Sequence, residues 1–547
     1  MVDYNINFED TVKQCWNSPS LSDYMQDTLQ FREVAQIIAR MHILFRETGI
    51  QPGDKIAVCG RNASRWGVSF LSAITYGAVA VPILHEFHPD QIQDIVNHSE
   101  AKLLFVGDQV WGKLQFDTMP NLWGCICIQN FELLAQRNEK LQYAIDHLNL
   151  LFGKAYPKGF TKEDVHFYHF DKEELCVINY TSGTTSNSKG VMIPWRAICS
   201  NLDFAQCTLA SGIVPGENTI SILPMAHMYG LTFEFLHMFR SGIHIHFLTK
   251  LASPSVLMKA LADVKPIIIV SVPLILDKVV RKAVFPKIQT PAMQAMLKVP
   301  FLATRVKKKI CQGLRDAMGG HFTEFVIGGA ALNPDVETLL LDIGFPFTVG
   351  YGATECAPII CYEDWYNVRK GSCGKPAKNM EVRIDSSKPS EIPGEILVHG
   401  PNVMLGYYKN PEATSQCLDS DGWFHTGDLG IMDEEKNVFI KGRIKNMLLG
   451  SNGQNIYPEE IEDKLCCMPG VAETVVVQRQ SKLVALVYPI QEMLQSQGRN
   501  AILELMEKNR QELNPQLPHY SQIAQVELVD EEFEKTPKRS IKRFKYK

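Results

Sequence analysis

The chain has 547 residues and a formal net charge of −5 at neutral pH, with 45% hydrophobic and 21% charged residues. This length exceeds what one compact core supports, so we expect at least two domains, and the composition is typical of a globular protein. The acidic balance argues against general nucleic-acid binding, which depends on a basic surface.

The N-terminal residues, the apolar runs and the cysteines of the sequence do not point to secretion or to a membrane span. Residues 1–10 are polar and acidic, so we do not expect a signal peptide. The longest apolar run, 267–276, is interrupted by Ser271 and Pro273 and is shorter than the about 20 residues that a bilayer needs. It predicts a buried strand followed by a turn. The fourteen cysteines lack zinc-type spacing, which favours reduced thiols in a cytoplasmic protein.

Short apolar runs alternate with helical patterns in the first half of the chain. Strands are predicted at 55–59, 77–84 and 101–106, and helices at 65–76 and 89–99. This alternation predicts an α/β fold in which mostly parallel sheets are layered with helices.

The pattern changes near residue 371. Short β-like segments at 381–384, 394–398 and 437–440 are separated by many Gly, Pro, Asp and Asn residues. This texture favours a small β-barrel or a twisted antiparallel sheet over residues 371–440.

A smaller α+β unit is predicted after Arg443. It contains helices at 458–466 and 502–513 and strands at 473–478 and 482–488. We therefore expect a large N-terminal domain, 1–443, followed by a small C-terminal domain, 444–547, with the boundary at residues 443–446.

The first chemical signal is the segment 180–190, YTSGTTSNSKG, which follows an apolar strand at 175–179. Backbone N–H groups and hydroxyls in such a loop can cradle phosphate oxygens, and Lys189 adds positive charge. It is not a Walker A loop, because Ser188 precedes the lysine and Gly190 follows it. The alternative is a flexible polar surface loop.

This loop resembles the YTSGTTGxPKGV pattern of the adenylate-forming superfamily, which includes the acyl-CoA synthetases. Ser186 and Ser188 replace the family's usual Gly and Pro. The resemblance implies ATP binding by the loop. The implied ligands are Thr181, Ser182, Gly183, Thr184, Thr185 and Lys189, with Thr184 also contacting Mg²⁺.

Further motifs follow in the order typical of the family. His227, in PMAHMYG, is either a buried structural histidine or, by resemblance, a residue beside the substrate carboxylate. The segment 328–331 (GGAA) is either a tight turn or the adenine-binding segment, with Gly329 and Ala330 along the base. The segment 350–355 (GYGATE) resembles the family's YGxTE.

The family resemblance assigns roles within this last motif and beyond it. Tyr351 and Gly352 are expected at the base, Thr354 at a phosphate and Glu355 at Mg²⁺, a cation that prefers oxygen ligands. Asp428, in GWFHTGDLG, is expected to accept both ribose hydroxyls.

The hinge and the thioester-forming segment are implied in the same way. Arg443 is similar to the family's ribose and phosphate contact. Lys445 resembles a hinge residue, and Asn446 departs from the usual Asp. The glycine loop Gly450, Ser451, Asn452 and Gly453 resembles the segment that enters the site for thioester formation with CoA.

The C-terminal tail departs from the family in one position. The family's TPTxKIKR places a lysine that stabilises charge at the α-phosphate, whereas this chain has Ser540 there. Lys542 is the favoured replacement and Lys538 the alternative. The tail can also be read as a solvated basic end.

The segment 278–313 carries many cations among apolar residues. It is either a charged surface helix pair or a membrane-surface patch. With the VIGGAALN that follows, it resembles bacterial long-chain fatty acyl-CoA synthetases. Its cations are Lys278, Arg281, Lys282, Lys287, Lys298, Arg305, Lys307, Lys308 and Lys309.

The resulting prediction is a medium- or long-chain fatty acyl-CoA synthetase that uses ATP, Mg²⁺ and CoA. Its acyl pocket is expected between 225–236 and 327–353, where Phe233, Phe235 and Leu236 either line the pocket or pack in the core. The alternatives are an acyl-AMP or acyl-carrier-protein ligase, with a protein-bound pantetheine as acceptor, and a degenerate nucleotide-binding member that lacks full adenylation activity. Peripheral contact with the inner face of a membrane and homodimerisation stay open.

Overall fold

The computed structural model describes residues 4–181, 189–209, 213–249, 254–449, 454–479, 482–536 and 541–546. Its strands are, in chain order, β1 Pro19–Asp23, β2 Thr28–Gln30, β3 Lys55–Cys59, β4 Val79–Ile83, β5 Leu103–Val106, β6 Gly124–Cys127, β7 Leu133–Gln136, β8 Leu175–Thr181, β9 Lys189–Pro194, β10 Asn218–Ser221, β11 His244–Phe247, β12 Ile268–Ser271, β13 Glu324–Ile327, β14 Phe347–Val349, β15 Tyr351–Gly352, β16 Ile359–Tyr362, β17 Lys375–Pro376, β18 Glu381–Asp385, β19 Gly394–His399, β20 Gly406–Tyr407, β21 Phe424–Met432, β22 Val438–Arg443, β23 Leu448–Leu449, β24 Asn455–Ile456, β25 Val471–Arg479, β26 Lys482–Pro489 and β27 Ile523–Leu528.

The helices lie between these strands. They are α1 Tyr4–Gln14, α2 Phe31–Thr48, α3 Ser64–Thr75, α4 Pro89–Ser99, α5 Asp108–Trp111, α6 Glu139–Asp146, α7 Leu148–Ala155, α8 Trp195–Thr208, α9 His237–Arg240, α10 Pro254–Val264, α11 Pro273–Ala283, α12 Phe285–Ile288, α13 Pro291–Leu297, α14 Pro300–Ala317, α15 Pro334–Asp342, α16 Pro411–Ser415, α17 Pro458–Cys466, α18 Gln491–Gln497 and α19 Arg499–Leu513.

Three sheets with parallel strands form the large N-terminal part. The largest has eight strands in the order β20-β9-β8-β4-β3-β5-β6-β7, and its centre is parallel. The second has the order β10-β11-β1-β2, and the third, β12-β13-β14, is parallel throughout. The continuous apolar runs of the sequence form the central strands of these sheets, because parallel strands at the centre of a sheet are buried on both faces. Every residue of β4 is buried.

The β-rich region is antiparallel, as its texture indicated. Strands β18, β19, β21 and β22 form a four-stranded sheet, and β15, β16 and β17 form a smaller one beside it. The last sheet, β25-β26-β27, packs against α17 and α19 around a separate apolar core that includes Leu465 and Met506. The predicted α/β class is confirmed, with large mixed sheets followed by a small C-terminal unit.

One local expectation was wrong. The apolar run at 267–276 is strand β12, but helix α11, rather than a turn, begins at Pro273. Proline is favoured in the first turn of a helix, because its fixed φ suits the helix and its missing N–H would have no partner there.

Two further features concern the cysteines and the character of the helices. All fourteen cysteines lie in described residues and all are free thiols. None of the described helices combines the length and the apolar character that crossing a membrane requires.

The buried carboxyl group of Glu324 makes stability depend on pH. Burial raises its pKa to about 7, although the Tyr362 hydroxyl donates a 2.7 Å hydrogen bond to it. The folded protein therefore keeps a proton that the unfolded chain releases between about pH 4.5 and pH 7. This contribution to stability is complete below that window and is lost as the pH rises through it.

Glu324→Gln should remove this dependence, because the amide stays neutral and can still accept from Tyr362. We expect the variant to gain stability relative to the natural protein from pH 5 to pH 8, by about 3 kcal/mol at most. Thermal unfolding midpoints across this range test it, with the exposed Glu381→Gln as the control for losing one charge. Parallel profiles for Glu324→Gln and the natural protein would contradict it.

Candidate functional site

The predicted phosphate loop joins two antiparallel strands of the eight-stranded sheet. β8 ends at Thr181 and β9 begins at Lys189, and these two residues are partners in the ladder. The hairpin therefore fixes both ends of the loop. The predicted ligands at 182–185, including the magnesium contact at Thr184, lie outside the described residues.

Strand β20 brings a tyrosine between the loop lysine and the predicted magnesium ligand. β20 pairs antiparallel with β9, with Tyr407 opposite Val191. The Lys189 ammonium lies 4.6 Å from the centroid of the Tyr407 ring. The Tyr407 hydroxyl donates a 2.9 Å hydrogen bond to Glu355 Oε1. The structure thus brings Lys189 and Glu355 together around one aromatic side chain.

The setting of Glu355 suits a magnesium ion that also contacts phosphates. Glu355 lies in a 3₁₀ turn, Thr354–Cys356, and its carbonyl accepts a 2.9 Å bond from the Met404 N–H. Its Oε2 atom has no hydrogen-bond partner among the described residues. Proteins usually hold Mg²⁺ with one or two carboxylates plus substrate phosphates and water. Across the described ranges, no three His, Cys, Asp or Glu residues form an all-protein metal site.

The predicted ribose ligand, Asp428, is buried where several strands meet. It is 7% exposed and lies opposite Arg443 in the ladder of β21 and β22. The Arg443 Nε atom lies 3.0 Å from Asp428 Oδ1. The Tyr351 hydroxyl donates a 2.6 Å bond to Asp428 Oδ2. Three residues that the sequence assigned to one nucleotide are therefore in direct contact.

The ionisation of Asp428 links the ribose and phosphate halves of the site. Burial raises the pKa of its carboxyl group above the ordinary value. The Arg443 guanidinium and the Tyr351 hydroxyl oppose that shift, and the carboxylates of Glu355 and Glu459 reinforce it. Both neighbouring carboxylates therefore repel an ionised Asp428, and a bound divalent cation would relieve that repulsion.

The segment expected along adenine lies at the carboxyl end of β13. A Cβ atom on Gly328 would lie 2.9 Å from the ring of Tyr229. Gly329 has φ +85°, which favours glycine, and both it and Ala330 are exposed. Ligands of open α/β sheets bind beyond the carboxyl ends of the strands, so this position suits a base.

The segment 350–355 leaves β14 at the same edge of the sheet. The Gly350 N–H donates a 2.8 Å bond to the Ile327 carbonyl. Gly352 is exposed, and a Cβ atom there would meet the Pro358 carbonyl oxygen at 2.3 Å. This close approach explains the glycine between Tyr351 and the acidic end of the motif.

His227 lies in the turn that precedes a π-helical segment, Gly230–Leu236. Its N–H donates to the Pro224 carbonyl at 3.0 Å. Asn179 of β8 donates a 2.8 Å bond to the Ala226 carbonyl. The turn that carries His227 is thus tied to the strand that leads into the phosphate loop.

The apolar residues assigned to the acyl pocket pack in the core. Phe233, Phe235 and Leu236 are at most 2% exposed. Phe235 lies 6.4 Å from Phe70 and 6.3 Å from Phe239, measured between ring centroids. Phe233 contacts Tyr229 at 6.1 Å, so it is the one of the three that adjoins the glycine segment at 328.

The residues expected at the hinge, Lys445 and Asn446, lie in a 3₁₀ turn, Ile444–Asn446, between β22 and helix α17. Lys445 is exposed, whereas the Asn446 amide donates a 2.5 Å hydrogen bond to Glu459. An aspartate at 446 could not donate this bond and would repel Glu459, so the departure from the family pattern has a physical reason. Lys441 also pairs with Glu460 at 3.0 Å. The loop 450–453 lies outside the described residues.

The basic tail is held within the small C-terminal unit. The Lys542 and Lys545 ammonium groups both pair with Glu534. The Arg543 guanidinium lies 2.5 Å from Glu462 Oε2. Lys542 is therefore engaged by a carboxylate of its own unit, and the alternatives at 537–540, including Lys538 and Ser540, lie outside the described residues.

Sequence reasoning missed two residues of this site, Tyr407 and Glu459. Tyr407 belongs to a two-residue strand, which is too short to produce a periodic signal. Glu459 follows Pro458 in the first turn of α17, where an acidic residue is common for helix stability alone. Their contacts depend on tertiary structure.

Comparisons with known families cover nearly the whole chain. The model of the family described as AMP-binding enzyme matches residues 8–408. The model described as AMP-binding enzyme C-terminal domain matches residues 445–546.

Similar proteins include two long-chain-fatty-acid–CoA ligases. The one from Mycobacterium bovis is 27% identical over 450 residues, covering 78% of this chain and 72% of that protein. Long-chain-fatty-acid–CoA ligase 1 of Homo sapiens is 28% identical over 523 residues, covering 87% of this chain and 72% of that protein.

Solved structures share the fold at lower identity. An anthranilate CoA ligase in complex with anthranoyl-AMP has a TM-score of 0.78 at 19% identity, covering 100% of this chain and 96% of that one. ATP-bound MatB from Rhodopseudomonas palustris has a TM-score of 0.75 at 21% identity, with 98% coverage of both chains.

The Tyr407–Glu355 hydrogen bond should matter for metal-dependent nucleotide binding. Tyr407→Phe keeps the ring beside Lys189 but frees the Glu355 carboxylate to rotate. We expect the affinity for Mg·ATP to fall about tenfold or more, because residues that orient a metal ligand typically contribute that much. Titration calorimetry at fixed Mg²⁺ measures it.

The neighbouring tyrosine is a matched control. The Tyr408 hydroxyl donates a 3.0 Å bond to Glu100, an exposed carboxylate. Tyr408→Phe should therefore leave the affinity for Mg·ATP unchanged. Equal effects of the two substitutions would contradict the role given to Tyr407.

Proposed function

Because the chain belongs to the AMP-binding enzyme family and is an AMP-forming acid–thiol ligase, we propose that its acid substrate is a medium- or long-chain fatty acid. In this proposal ATP and the acid give acyl-AMP and pyrophosphate, and CoA then gives acyl-CoA and AMP. The length of the acyl chain is the finer part of the proposal. It is supported by the similarity to long-chain-fatty-acid–CoA ligases that are 27–28% identical to this protein.

One observation carries the proposal. The Lys189–Tyr407–Glu355 contacts and the Arg443–Asp428–Tyr351 contacts are linked electrostatically, because the Glu355 carboxylate raises the pKa of Asp428. A nucleotide with its ribose at Asp428 and its phosphates between Lys189 and Glu355 fits both sets of groups. Bound Mg²⁺ would supply charge neutralisation at the phosphates, with Glu355 as its protein ligand.

The first step needs positioning and charge stabilisation more than covalent catalysis. Lys189 supplies positive charge at the phosphate end of the cleft. Asp428 orients the ribose by accepting its hydroxyl hydrogen bonds, and Arg443 holds Asp428 in place. His227 is proposed to lie beside the substrate carboxylate, in the turn that Asn179 ties to the phosphate-loop strand.

The acyl chain is proposed to run between the π-helical segment and the carboxyl edge of β13. Tyr229 covers Gly328 at this position, and its hydroxyl lies 3.3 Å from the carbonyls of Ser271 and Val326. These bonds are long for a hydroxyl donor, so the ring can be displaced at modest cost. An acyl chain would then take the place of the Tyr229 ring.

The second step is proposed to use the small C-terminal domain, with the boundary at residues 443–446. Rotation about Lys445 and Asn446 would bring the loop 450–453 to the acyl-AMP, where the thiol of CoA attacks. The fourteen free thiols support a reducing, cytoplasmic compartment for this reaction.

An acid panel tests the substrate and the acceptor together. The protein would be incubated with ATP, Mg²⁺ and saturated acids from C2 to C18, with aryl acids included, and with either CoA or a carrier protein bearing pantetheine. We expect acyl-CoA formation to be highest for C8 to C18 acids. Product only with the carrier protein would favour the ligase alternative, and turnover confined to C2 or aryl acids would contradict the fatty-acid assignment.

A second candidate, a degenerate nucleotide-binding member, is favoured by one observation. Ser540 replaces the family's lysine, and Lys542 pairs with Glu534 rather than with a group of the cleft. If Lys542 leaves Glu534 to serve the α-phosphate, Lys542→Ala should slow acid-dependent pyrophosphate exchange about 100-fold or more. Thioester formation from synthetic acyl-AMP should be unaffected.

Lys545→Ala is the matched control, because Lys545 pairs with the same carboxylate, Glu534. It should keep both half-reactions. Lys538→Ala tests the alternative lysine. Full exchange activity in both Lys542→Ala and Lys538→Ala would refute the assignment of a tail lysine, and absent exchange in the natural protein despite ATP binding would favour the degenerate member.

A further inference from the structure

The crossover between β12 and β13 is strongly basic. Residues 278–315 contain ten Lys and Arg residues and no Asp or Glu. Arg281 pairs with Asp277 at 3.0 Å, Lys307 pairs with Asp342 at 2.6 Å, and Arg315 donates to the Phe322 carbonyl. The other seven cations have no ion pair within the described stretch 254–449. Seven cations of the crossover are thus left without an acidic partner in that part of the chain.

The same crossover exposes apolar side chains at its outer end. Helices α12 and α13 bury no residue, and α14 buries only Ala303 and Leu314. At the junction of α13 and α14, Val299 is 47% exposed, Phe301 65% and Leu302 39%. Three large apolar residues side by side in water are unfavourable unless something covers them.

Apolar and basic residues share one face of α14. Phe301, Arg305 and Lys308 follow one another at helical spacing of four and three residues, and all three are exposed. The Arg305 guanidinium lies 4.2 Å from the centroid of the Phe301 ring. The opposite face carries the two buried residues, Ala303 and Leu314, and Leu314 belongs to the apolar core beneath the helix. The face thus has an apolar end and a cationic end.

We propose that this face, formed by Val299, Phe301, Leu302, Arg305, Lys308 and Lys309, docks on an anionic lipid bilayer. The apolar end enters the acyl boundary and the long cationic side chains reach the phosphate headgroups. A nucleic acid would satisfy the cations, but it would leave the three apolar side chains without a partner, so the bilayer fits both features.

The crossover lies next to the proposed acyl site, so docking on a bilayer would bring that site close to the lipid. Helix α11 begins at Pro273, directly after β12, and the Val272 side chain lies 3.9 Å from where a Cβ on Gly329 would be. The basic crossover therefore starts at the edge of the proposed acyl site. The docking itself does not depend on the reaction proposed above.

Vesicle flotation of the full chain tests the proposal. Vesicles of phosphatidylcholine alone and of phosphatidylcholine with 30% phosphatidylglycerol would be compared at 50 mM and 500 mM NaCl. We expect binding to the anionic vesicles only, with a marked loss at high salt, because surface charge is screened over about 10 Å at 0.1 M salt.

Two variants separate the apolar and cationic contributions. Phe301→Ser combined with Leu302→Ser, and Lys308→Gln combined with Lys309→Gln, should each lower the partition coefficient about tenfold or more. Lys158→Gln combined with Lys162→Gln, two exposed cations elsewhere, is the control and should bind like the natural protein. Thermal unfolding midpoints check that each variant is folded.

Several results would overturn the proposal. One is that the natural protein fails to bind anionic vesicles, and another is that it binds neutral and anionic vesicles equally. A loss of binding only in the Lys158/Lys162 variant would also overturn it. Tighter binding to a DNA duplex than to anionic vesicles, abolished by the Lys308/Lys309 variant and kept by the Phe301/Leu302 variant, would assign the face to nucleic acid instead.

Discussion

The burial of the Asp428 carboxyl group is the constraint on which the site depends. It lies on β21 of the antiparallel sheet, accepts a bond from Tyr351 on β15 and pairs with Arg443 at the end of β22. A buried carboxylate is costly unless several donors satisfy it. The two donors here come from different parts of the chain, so this charge is satisfied only when both segments are in place.

The same constraint makes the cleft receptive to a nucleotide and a cation. Glu355 and Glu459 both raise the pKa of Asp428, because their carboxylates repel its ionised form. Ribose hydroxyls at Asp428 and a divalent cation at Glu355 would each reduce that cost. Asn446, which donates to Glu459, removes part of the repulsion at the point where the small domain joins.

Much of the candidate site was predictable from the sequence, because its residues lie in short contiguous motifs. The order of the strings placed Lys189, Glu355, Asp428 and Arg443 in one site by resemblance, and apolar runs such as 79–83 indicated parallel strands. The predicted helix at 458–466 has the observed bounds. The prediction of a turn at Pro273 was wrong, because proline is favoured at the start of a helix as well as in a turn.

What the sequence missed depends on contacts between distant segments. Tyr407 acquires its role only when β20 pairs with β9, more than two hundred residues earlier. The core positions of Phe235 and Leu236 follow from packing around the π-helical segment, and apolar residues at such spacing look the same in a core and in a pocket. The tail lysines pair with Glu534 in a local cluster, which basic composition alone does not indicate.

The central claim is that one nucleotide spans the cleft from Asp428 to Lys189. Calorimetric affinities of ATP and AMP for Asp428→Asn and Lys189→Met test it most directly. We expect Asp428→Asn to weaken the binding of both nucleotides about tenfold or more, and Lys189→Met to weaken the binding of ATP far more than that of AMP. Unchanged ATP affinity in Lys189→Met, or unchanged affinity for both nucleotides in Asp428→Asn, would contradict it.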